Sequence, residues 1–488
     1  MANKKFFVTT PIYYVNDRPH LGHAYTTIAA DVAARYHRFL GEKVFFLTGT
    51  DEHGAKIEKA AQKSGKAPKE FADENSEKFR QSWKKLNISY DGFIRTTDPK
   101  HKKAAQKALE VLYKNGFIKK GVYQGLYCFG CEQYKTKNDL IAGKCPDHKI
   151  APELIEEESY IFKLSKFQDV LRKKIVKDEL YIQPKERKNE VLAFLGQELR
   201  DISISRQKVK WGIPLPFDRR FTVYVWIEAL FNYLTGIGWE GNPKELPDFW
   251  PPELQLMGKD ILRVHATIWP ALILALKIPL PKNFFVHGYF TTNGQKMSKS
   301  LGNIIWPEEI IEKFGVDAAR YLLLSVLHFG QDGDISWQKL KEEYNADLAA
   351  GLGNLVSRVI NMAVKVRIEN KESKIENNEV KKNIKEAEKK WKEGLSQFKF
   401  SEALASIWDL IRFCDQYIEK ESPWKESKNQ ISVINDLLIA LASIAQFISP
   451  FLPETSRKIF NQLGLASLEK EIVFKIKKSE PLFPKVIS

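Results

Sequence analysis

Apolar residues fall in two rhythms along the chain, and the change from one to the other divides it. Lys5-Phe6-Phe7-Val8-Thr9-Thr10 is a short, nearly continuous apolar run that reads as a buried strand, and the loop after it carries Pro11, Asn16, Asp17 and Pro19. From Leu21 to Leu40 the pattern turns helical and Ala-rich, stopping at Gly41, and Val44-Phe45-Phe46-Leu47 reads as a second strand. Strand, helix, strand in this order predicts a parallel, doubly wound sheet of Rossmann type. The rhythm is interrupted near residue 120 and resumes at about 221. There Phe221-Thr222-Val223-Tyr224-Val225-Trp226, Leu254-Gln255-Leu256-Met257 and Phe284-Phe285-Val286-His287 are strand-like, with a helix expected from Ile261 to Leu276. After about 338 the strand signal fades. Leu352, Leu355, Val356, Val359, Ile360 and Ala363 share one helical face, as do Leu404, Ile407, Ile411, Cys414 and Ile418, and again Leu437, Leu438, Leu441, Ile444, Ala445 and Ile448. The Lys/Glu/Asn-rich stretch 369–394 reads as a solvated linker or helix face.

The expected α/β organisation is therefore a Rossmann first half (1–115), an inserted module (116–220) and a Rossmann second half (221–290). A connecting region (291–340) and an all-α helix bundle (341–488) follow. The 488 residues, 43% hydrophobic and 28% charged, suit two to four globular domains and exclude a disordered or fibrous chain. No uninterrupted apolar run approaches the ~20 residues needed to span a bilayer, and the run at the start is too short for a signal peptide. Four cysteines in such a chain make no disulfide framework. The expectation is a soluble protein of a reducing, cytoplasmic compartment, with no membrane partner. A net charge of +15 favours a polyanionic partner, although an excess of Lys over Arg also fits a generally basic protein.

Three constellations carry chemistry. His20-Leu21-Gly22-His23 lies where a strand-exit loop enters a helix, and helix N-termini hold phosphates through their unsatisfied N–H groups. Two imidazoles there can donate to phosphoryl oxygens, and Gly22 lets a nucleotide approach the backbone. Lys296-Met297-Ser298-Lys299-Ser300, in a loop flanked by Gly294 and Gly302, offers two cations that can neutralise a departing pyrophosphate. Cys128-x-x-Cys131 and Cys145-x-x-His148 supply three thiolates and an imidazole, a closed tetrahedral zinc set suited to a structural role. Cys414, on an apolar helix face, reads as core.

The first two motifs together resemble the HIGH and KMSKS signatures of class I aminoacyl-tRNA synthetases. Thr9-Thr10-Pro11-Ile12-Tyr13-Tyr14-Val15-Asn16, Gly49-Thr50-Asp51-Glu52-His53-Gly54, and Gly258-Lys259-Asp260-Ile261 with His265 and Trp269 narrow the resemblance to the methionyl-tRNA synthetases of the single-zinc-knuckle bacterial type, from about residue 5 to the end. The resemblance implies a methionine–tRNA ligase using L-methionine, ATP with Mg²⁺, and tRNA(Met), the initiator included. His20, His23, Lys296 and Lys299 would be catalytic, and Gly22 and Ser298 would join them in ATP binding. One structural Zn²⁺ per chain would sit in the insertion. Ile12, Tyr14, Asp51, Trp226, Ala229, Leu230, Tyr233, Ile261, Val264, His265 and Trp269 would hold methionine, although the same helical spacings describe ordinary core. Asp51 would take the amino group with Arg206 as its ion-pair partner, and a surface salt bridge is the alternative for each. Asn354, Arg358 and Trp424 would read the anticodon, unless they are a polar helix face and a loop aromatic. Many members continue into an OB-fold tRNA-binding domain that these 488 residues do not include. The expectation is a monomer, or a partner supplying that domain in trans.

Two rival readings fit the sequence less well. Valine, isoleucine and leucine enzymes carry an editing insertion larger than the roughly 100 residues available here, and a cysteinyl enzyme would leave its zinc open to substrate. A non-catalytic tRNA-binding descendant should have lost a signature histidine or lysine, and none is missing.

Overall fold

The computed structural model describes all residues except 1–3, 129, 131, 136–138, 147–148, 293, 297–303, 328, 369–373, 469–471, 479 and 487–488. The chain forms two compact units. The first comprises Met1–Pro19, Glu42–Trp83 and Ser89–His287; the second comprises His20–Gly41, Lys84–Ile88 and Gly288–Ser488.

The first unit is built on a six-stranded, all-parallel sheet. Its strands are β1 (Lys5–Tyr14), β2 (Lys43–Asp51), β3 (Gly92–Arg95), β4 (Tyr181–Gln183), β5 (Leu254–Gly258) and β6 (Asn283–His287), in the spatial order β3-β2-β1-β5-β6-β4. The central strands are apolar on consecutive positions because both faces of a parallel sheet are covered. Phe6, Phe7 and Val8 of β1, Leu254, Leu256 and Met257 of β5, and Phe284, Phe285 and Val286 of β6 are all buried. β1 pairs with β2 from Lys5 to Thr9, shifts register, and pairs again from Ile12↔Gly49 to Tyr14↔Asp51. Pro11 sits in the gap, where it has no N–H to give to the ladder. Gly49 is obligatory, since a Cβ there would lie 2.1 Å from the carbonyl oxygen of Ile94. Tyr14, Asp51, Gly258 and His287 all end their strands, at the carboxyl edge where open α/β sheets bind ligands.

The stretch 116–220 departs from the expected single insertion. Ile118–Cys128 and Glu153–Phe162 form a long antiparallel ribbon, joined by Gln133–Lys135 and Ile202–Ser203 into a four-stranded sheet. Tyr181–Gln183, within the same stretch, is instead the edge strand of the parallel sheet. The segment 221–226 also differs. Asp218–Val223 pairs antiparallel with Ser205–Arg206 and Pro214–Leu215 in a small separate sheet, and Val225–Ala229 is helical. Val225 and Trp226 thus leave the strand for a helix because the backbone pairing ends at Val223, whatever their β propensity. The helix expected over 261–276 is a π-helical turn, Val264–Ile268, followed by Trp269–Ala275.

The second unit contains α1 (Leu21–Phe39), α2 (Val316–Ser325) and a bundle of α3 (Asn354–Lys365), α4 (Asn378–Ser396), α5 (Phe400–Glu421), α6 (Gln430–Ile448) and α7 (Pro453–Leu463). The apolar faces of α3, α5 and α6 predicted from spacing are buried, Cys414 among them. Most of the charged stretch 369–394 falls on α4, which buries Val380, Ile384, Ala387, Trp391 and Leu395 and leaves its lysines and glutamates outside. α6 has the length and hydropathy of a membrane span, but 78% of that window is buried inside the protein, as suits a core helix. Arg320 of α2 is wholly buried and locks the unit. It donates to Asp31 of α1 at 2.7 Å and to the carbonyls of Leu86, Pro450 and Phe451. A buried charge is tolerable only with such complete pairing.

Candidate active site

In the first unit the expected amino-acid pocket divides into a back wall and an accessible face. Leu230, Tyr233, Val264, His265 and Trp269 are buried, with Ala229 beside them, whereas Ile12, Tyr14, Trp226 and Ile261 are half-buried and pack against the same core. The Tyr233 and Trp269 rings lie 5.6 Å apart, and the Trp269 indole N–H donates to Gln255 at 3.2 Å. His265 Nδ1 faces the Ile261 carbonyl at 3.0 Å, and its Nε2 lies 2.7 Å from the Tyr233 hydroxyl. A carbonyl can only accept, so Nδ1 carries the proton and the hydroxyl donates to Nε2. Burial lowers the His265 pKa to about 4, which keeps the ring neutral. The wall is therefore aromatic and uncharged, the surroundings a thioether side chain prefers.

Charge collects at the carboxyl end of β2. Asp51 closes β2, is 6% exposed, and its Oδ1 is buried with no hydrogen-bond partner. Burial, then the negative fields of Glu228, Glu132 and Glu52, hold its carboxyl well above the usual range, only partly relieved by the His53 N–H. An unpaired buried oxygen among carboxylates calls for a cation from outside. The other acids are satisfied. Glu52 is clamped by Arg95 at 2.7 and 2.9 Å and accepts from Thr50. Glu228 is held between His53 Nδ1 at 2.8 Å and His101 Nε2 at 3.0 Å. Burial works to raise its pKa, but the two imidazoles outweigh burial and keep it low.

Arg206 is not the ion-pair partner of Asp51 that the resemblance implied. Its guanidinium lies 4.1 Å from the Tyr224 ring and just over 5 Å from those of Tyr127 and Tyr134, donating to Ser203 Oγ and the Ser205 carbonyl. A cation caged by three rings is stabilised by their quadrupoles and not by a carboxylate. Sequence reading also passed over Glu132, Glu228, His53 and His101 as site residues. Only the adjacency of Glu52 and His53 to Asp51 could have signalled part of this set.

In the second unit His20 caps α1. Its Nδ1 accepts from Gly22 N at 3.1 Å, while His23 Nδ1 accepts from His20 N at 3.3 Å, a capping box made of imidazoles stacked 3.6 Å apart. Because both Nδ1 atoms accept, each neutral ring carries its proton on Nε2, as a donor. Burial, and then the neighbouring His20, hold the His23 pKa well below the ordinary value. Gly22 is needed here, since a Cβ would press within 3.1 Å of the His20 ring. Lys296 lies on Gln295–Lys296, which pairs antiparallel with Phe290–Thr292. Ser298 and Lys299 lie outside the described residues.

Cys128 ends the long ribbon strand and Cys145 follows the Ile141–Lys144 bridge, and both are fully buried. Cys131 and His148 lie outside the described residues, among which no cluster of three metal-binding side chains occurs. Cys128 and Cys145 are thus two buried thiols, each followed three positions on in the sequence by a further Cys or His. On the bundle, Asn354 is exposed and Trp424 is 43% exposed. Arg358 bridges Asp415 at 3.4 Å and Glu419 at 2.5 Å on α5.

A family model described as tRNA synthetases class I (M) matches residues 6–151 and 138–360, and one for the anticodon-binding domain of tRNA ligase matches 377–482. The methionine–tRNA ligase of Caldanaerobacter subterraneus is 42% identical over 99% of this chain and 79% of its own length. That of Thermotoga maritima is 41% identical over 99% and 80%. The structure of Mycobacterium tuberculosis methionyl-tRNA synthetase in complex with methionyl-adenylate superposes with a TM-score of 0.93 at 34% identity, covering 99% of this chain and all of that one. With a parallel sheet ending at Asp51, a histidine-capped helix and relatives aligned along its whole length, the chain belongs to the methionyl-tRNA synthetase family of class I aminoacyl-tRNA synthetases.

Proposed function

We propose that the chain is a cytoplasmic methionine–tRNA ligase. It joins L-methionine to ATP, giving methionyl-adenylate and pyrophosphate, and passes the methionyl group to the 3′ end of tRNA(Met), elongator and initiator alike, with release of AMP. The observations that carry the reading are the buried Asp51 oxygen without a partner and, in the same unit, a neutral aromatic cluster of Tyr233, His265 and Trp269. An α-ammonium group neutralises that oxygen, and the side chain's sulfur lies against Tyr233, His265 and Trp269. A methionine so held turns its carboxylate outward.

In the first step a carboxylate oxygen attacks the α-phosphorus of ATP and the bond to the β-phosphate oxygen breaks. His20 and His23 donate through Nε2 to the phosphoryl oxygens, and Gly22 admits the nucleotide to the helix N-terminus. Lys296, Ser298 and Lys299 would hold the departing pyrophosphate, and Mg²⁺, when bound with ATP, would supply further charge neutralisation there. In the second step the terminal ribose hydroxyl of tRNA attacks the adenylate carbonyl. No protein nucleophile is required, so catalysis is positioning and electrostatics. Cys128, Cys131, Cys145 and His148 would hold one zinc, which when bound cross-links the two turns of the insertion and so fixes it.

Asn354, Arg358 and Trp424 form the proposed anticodon reader. The exposure of Trp424 supports a stacking role, and Arg358 would have to exchange its α5 carboxylates for a base edge. The test is charging of tRNA with a CAU anticodon. The parent should acylate it with methionine, and Trp424→Ala should charge it roughly ten- to a hundredfold less well while sparing ATP–pyrophosphate exchange, since stacking is worth ~1–3 kcal/mol. A variant that discriminates between CAU and mutated anticodons as the parent does would remove Trp424 from the reader.

A further inference from the structure

Glu132 directly follows Cys131 in sequence and, among the described residues of the cysteine-bearing insertion, is the carboxylate whose charge acts on Asp51. Its backbone is left-handed at φ 52°, an uncommon conformation for a non-glycine residue, and its side chain is buried. The position is over-determined from three directions. One carboxylate oxygen accepts from the Tyr14 hydroxyl at 2.5 Å, and the other accepts from the backbone N–H of Lys56 at 2.9 Å. The main-chain carbonyl accepts from the Tyr224 hydroxyl at 2.6 Å, and Tyr224 is the ring lying nearest the Arg206 guanidinium.

These contacts do work the neighbouring sequence does not. The helix Ala55–Lys63 begins at Gly54, which has no side chain to cap it, and Glu132 supplies the missing acceptor from elsewhere in the chain. The Tyr14 hydroxyl oxygen also lies 2.9 Å from the His53 carbonyl, so its single proton is shared between the insertion and the loop after Asp51. A Cβ at Gly54 would lie 2.5 Å from that hydroxyl and 3.1 Å from the Glu132 carboxylate, which leaves the junction no spare space. Tyr14 is half-buried and among the residues proposed to hold methionine, and burial followed by the Glu132 charge keeps its hydroxyl protonated and donating.

We propose that Glu132 is a positioning residue for methionine. By holding the Tyr14 hydroxyl and capping the helix after Asp51, it links the cysteine-bearing insertion to the end of the pocket that receives the ammonium group. This rests on the methionine-activating reading above.

The experiment measures methionine-dependent ATP–pyrophosphate exchange, with bound zinc determined in each preparation. Losing a hydrogen bond to a charged acceptor should raise the KM for methionine roughly ten- to a hundredfold in Glu132→Ala, with the KM for ATP near the parent's. Tyr14→Phe should raise it comparably. The double variant should be no worse than the weaker single one, because both remove the same link. Glu132→Gln, which keeps one acceptor oxygen, should fall between alanine and parent. All variants should hold the same zinc as the parent, about one per chain, as four ligands require. A parental methionine KM in Glu132→Ala, effects that multiply in the double variant, or loss of zinc along with activity in Glu132→Ala would each overturn the proposal. If the parent itself gives no exchange with methionine, the functional reading fails. If the parent exchanges and the variants match it, this inference alone fails.

Discussion

His23→Ala should slow methionyl-adenylate formation a hundred- to a thousandfold with little change in methionine affinity. A donor aimed at charge that grows in the transition state is worth about 3–4 kcal/mol, and its loss appears in the rate and not in substrate binding. The geometry makes His23 suitable because its Nδ1 is occupied by the His20 N–H, which fixes the Nε2–H tautomer. Burial and the adjacent His20 also keep its pKa well below the ordinary histidine value. The ring is therefore a neutral donor throughout the neutral range, and the rate should not fall between about pH 6.5 and 8 through loss of a proton from His23. His20→Ala should lose activity too, and because both rings belong to the capping box of α1, each variant should also lose about 0.5–2 kcal/mol in stability. Single-turnover quench measurements on both variants, with melting curves, separate the two roles.

Asp51→Asn should have opposite effects on activity and stability. Removing one partner of a buried charge pair costs about 2–5 kcal/mol, so kcat/KM for methionine should fall roughly thirty- to several-thousandfold. Without substrate, however, the same carboxylate is a liability. It is buried, its Oδ1 has no partner, and Glu228, Glu132 and Glu52 all push its pKa up. A carboxyl whose folded pKa is raised destabilises the native state once pH exceeds the unfolded value, so at pH 7 its ionised form lowers stability. Replacing it with a neutral isostere should raise the Tm of the substrate-free protein. A rise in Tm with collapse of methionine activation is the signature of a site strained for its ligand. A fall in both would make Asp51 a structural acid.

Much of this arrangement was legible in the chain, and the exceptions have physical reasons. β1, β5 and β6 are apolar on consecutive positions because both their faces are covered, so composition alone reveals them. The bundle helices announce themselves by spacing. Tyr181–Gln183 has only three residues, one of them exposed, and owes its place to pairing with β6, a contact across about a hundred residues that no local pattern carries. Asp218–Val223 has strand composition, yet composition does not say which sheet a strand joins. Of the candidate site residues, the histidine and lysine signatures and the paired Cys/His spacings are short motifs and can be found by reading. Glu228 and Glu132 could not be, because an isolated glutamate is ordinarily exposed, and only the fold buries these two beside Asp51. The surroundings of Arg206 are not legible either, since a cage assembled from Tyr127, Tyr134 and Tyr224 exists only in three dimensions.

The central claim is that the pocket selects methionine for activation. The most direct measurement is ATP–pyrophosphate exchange by the purified protein with each of the twenty amino acids in turn, supplied with Mg²⁺ and without tRNA. The account predicts rapid exchange with methionine and little with leucine, isoleucine, valine or cysteine, none of which offers a thioether of that length to the Tyr233, His265 and Trp269 wall. Exchange with another amino acid as fast as with methionine, or none with any of the twenty, would contradict it.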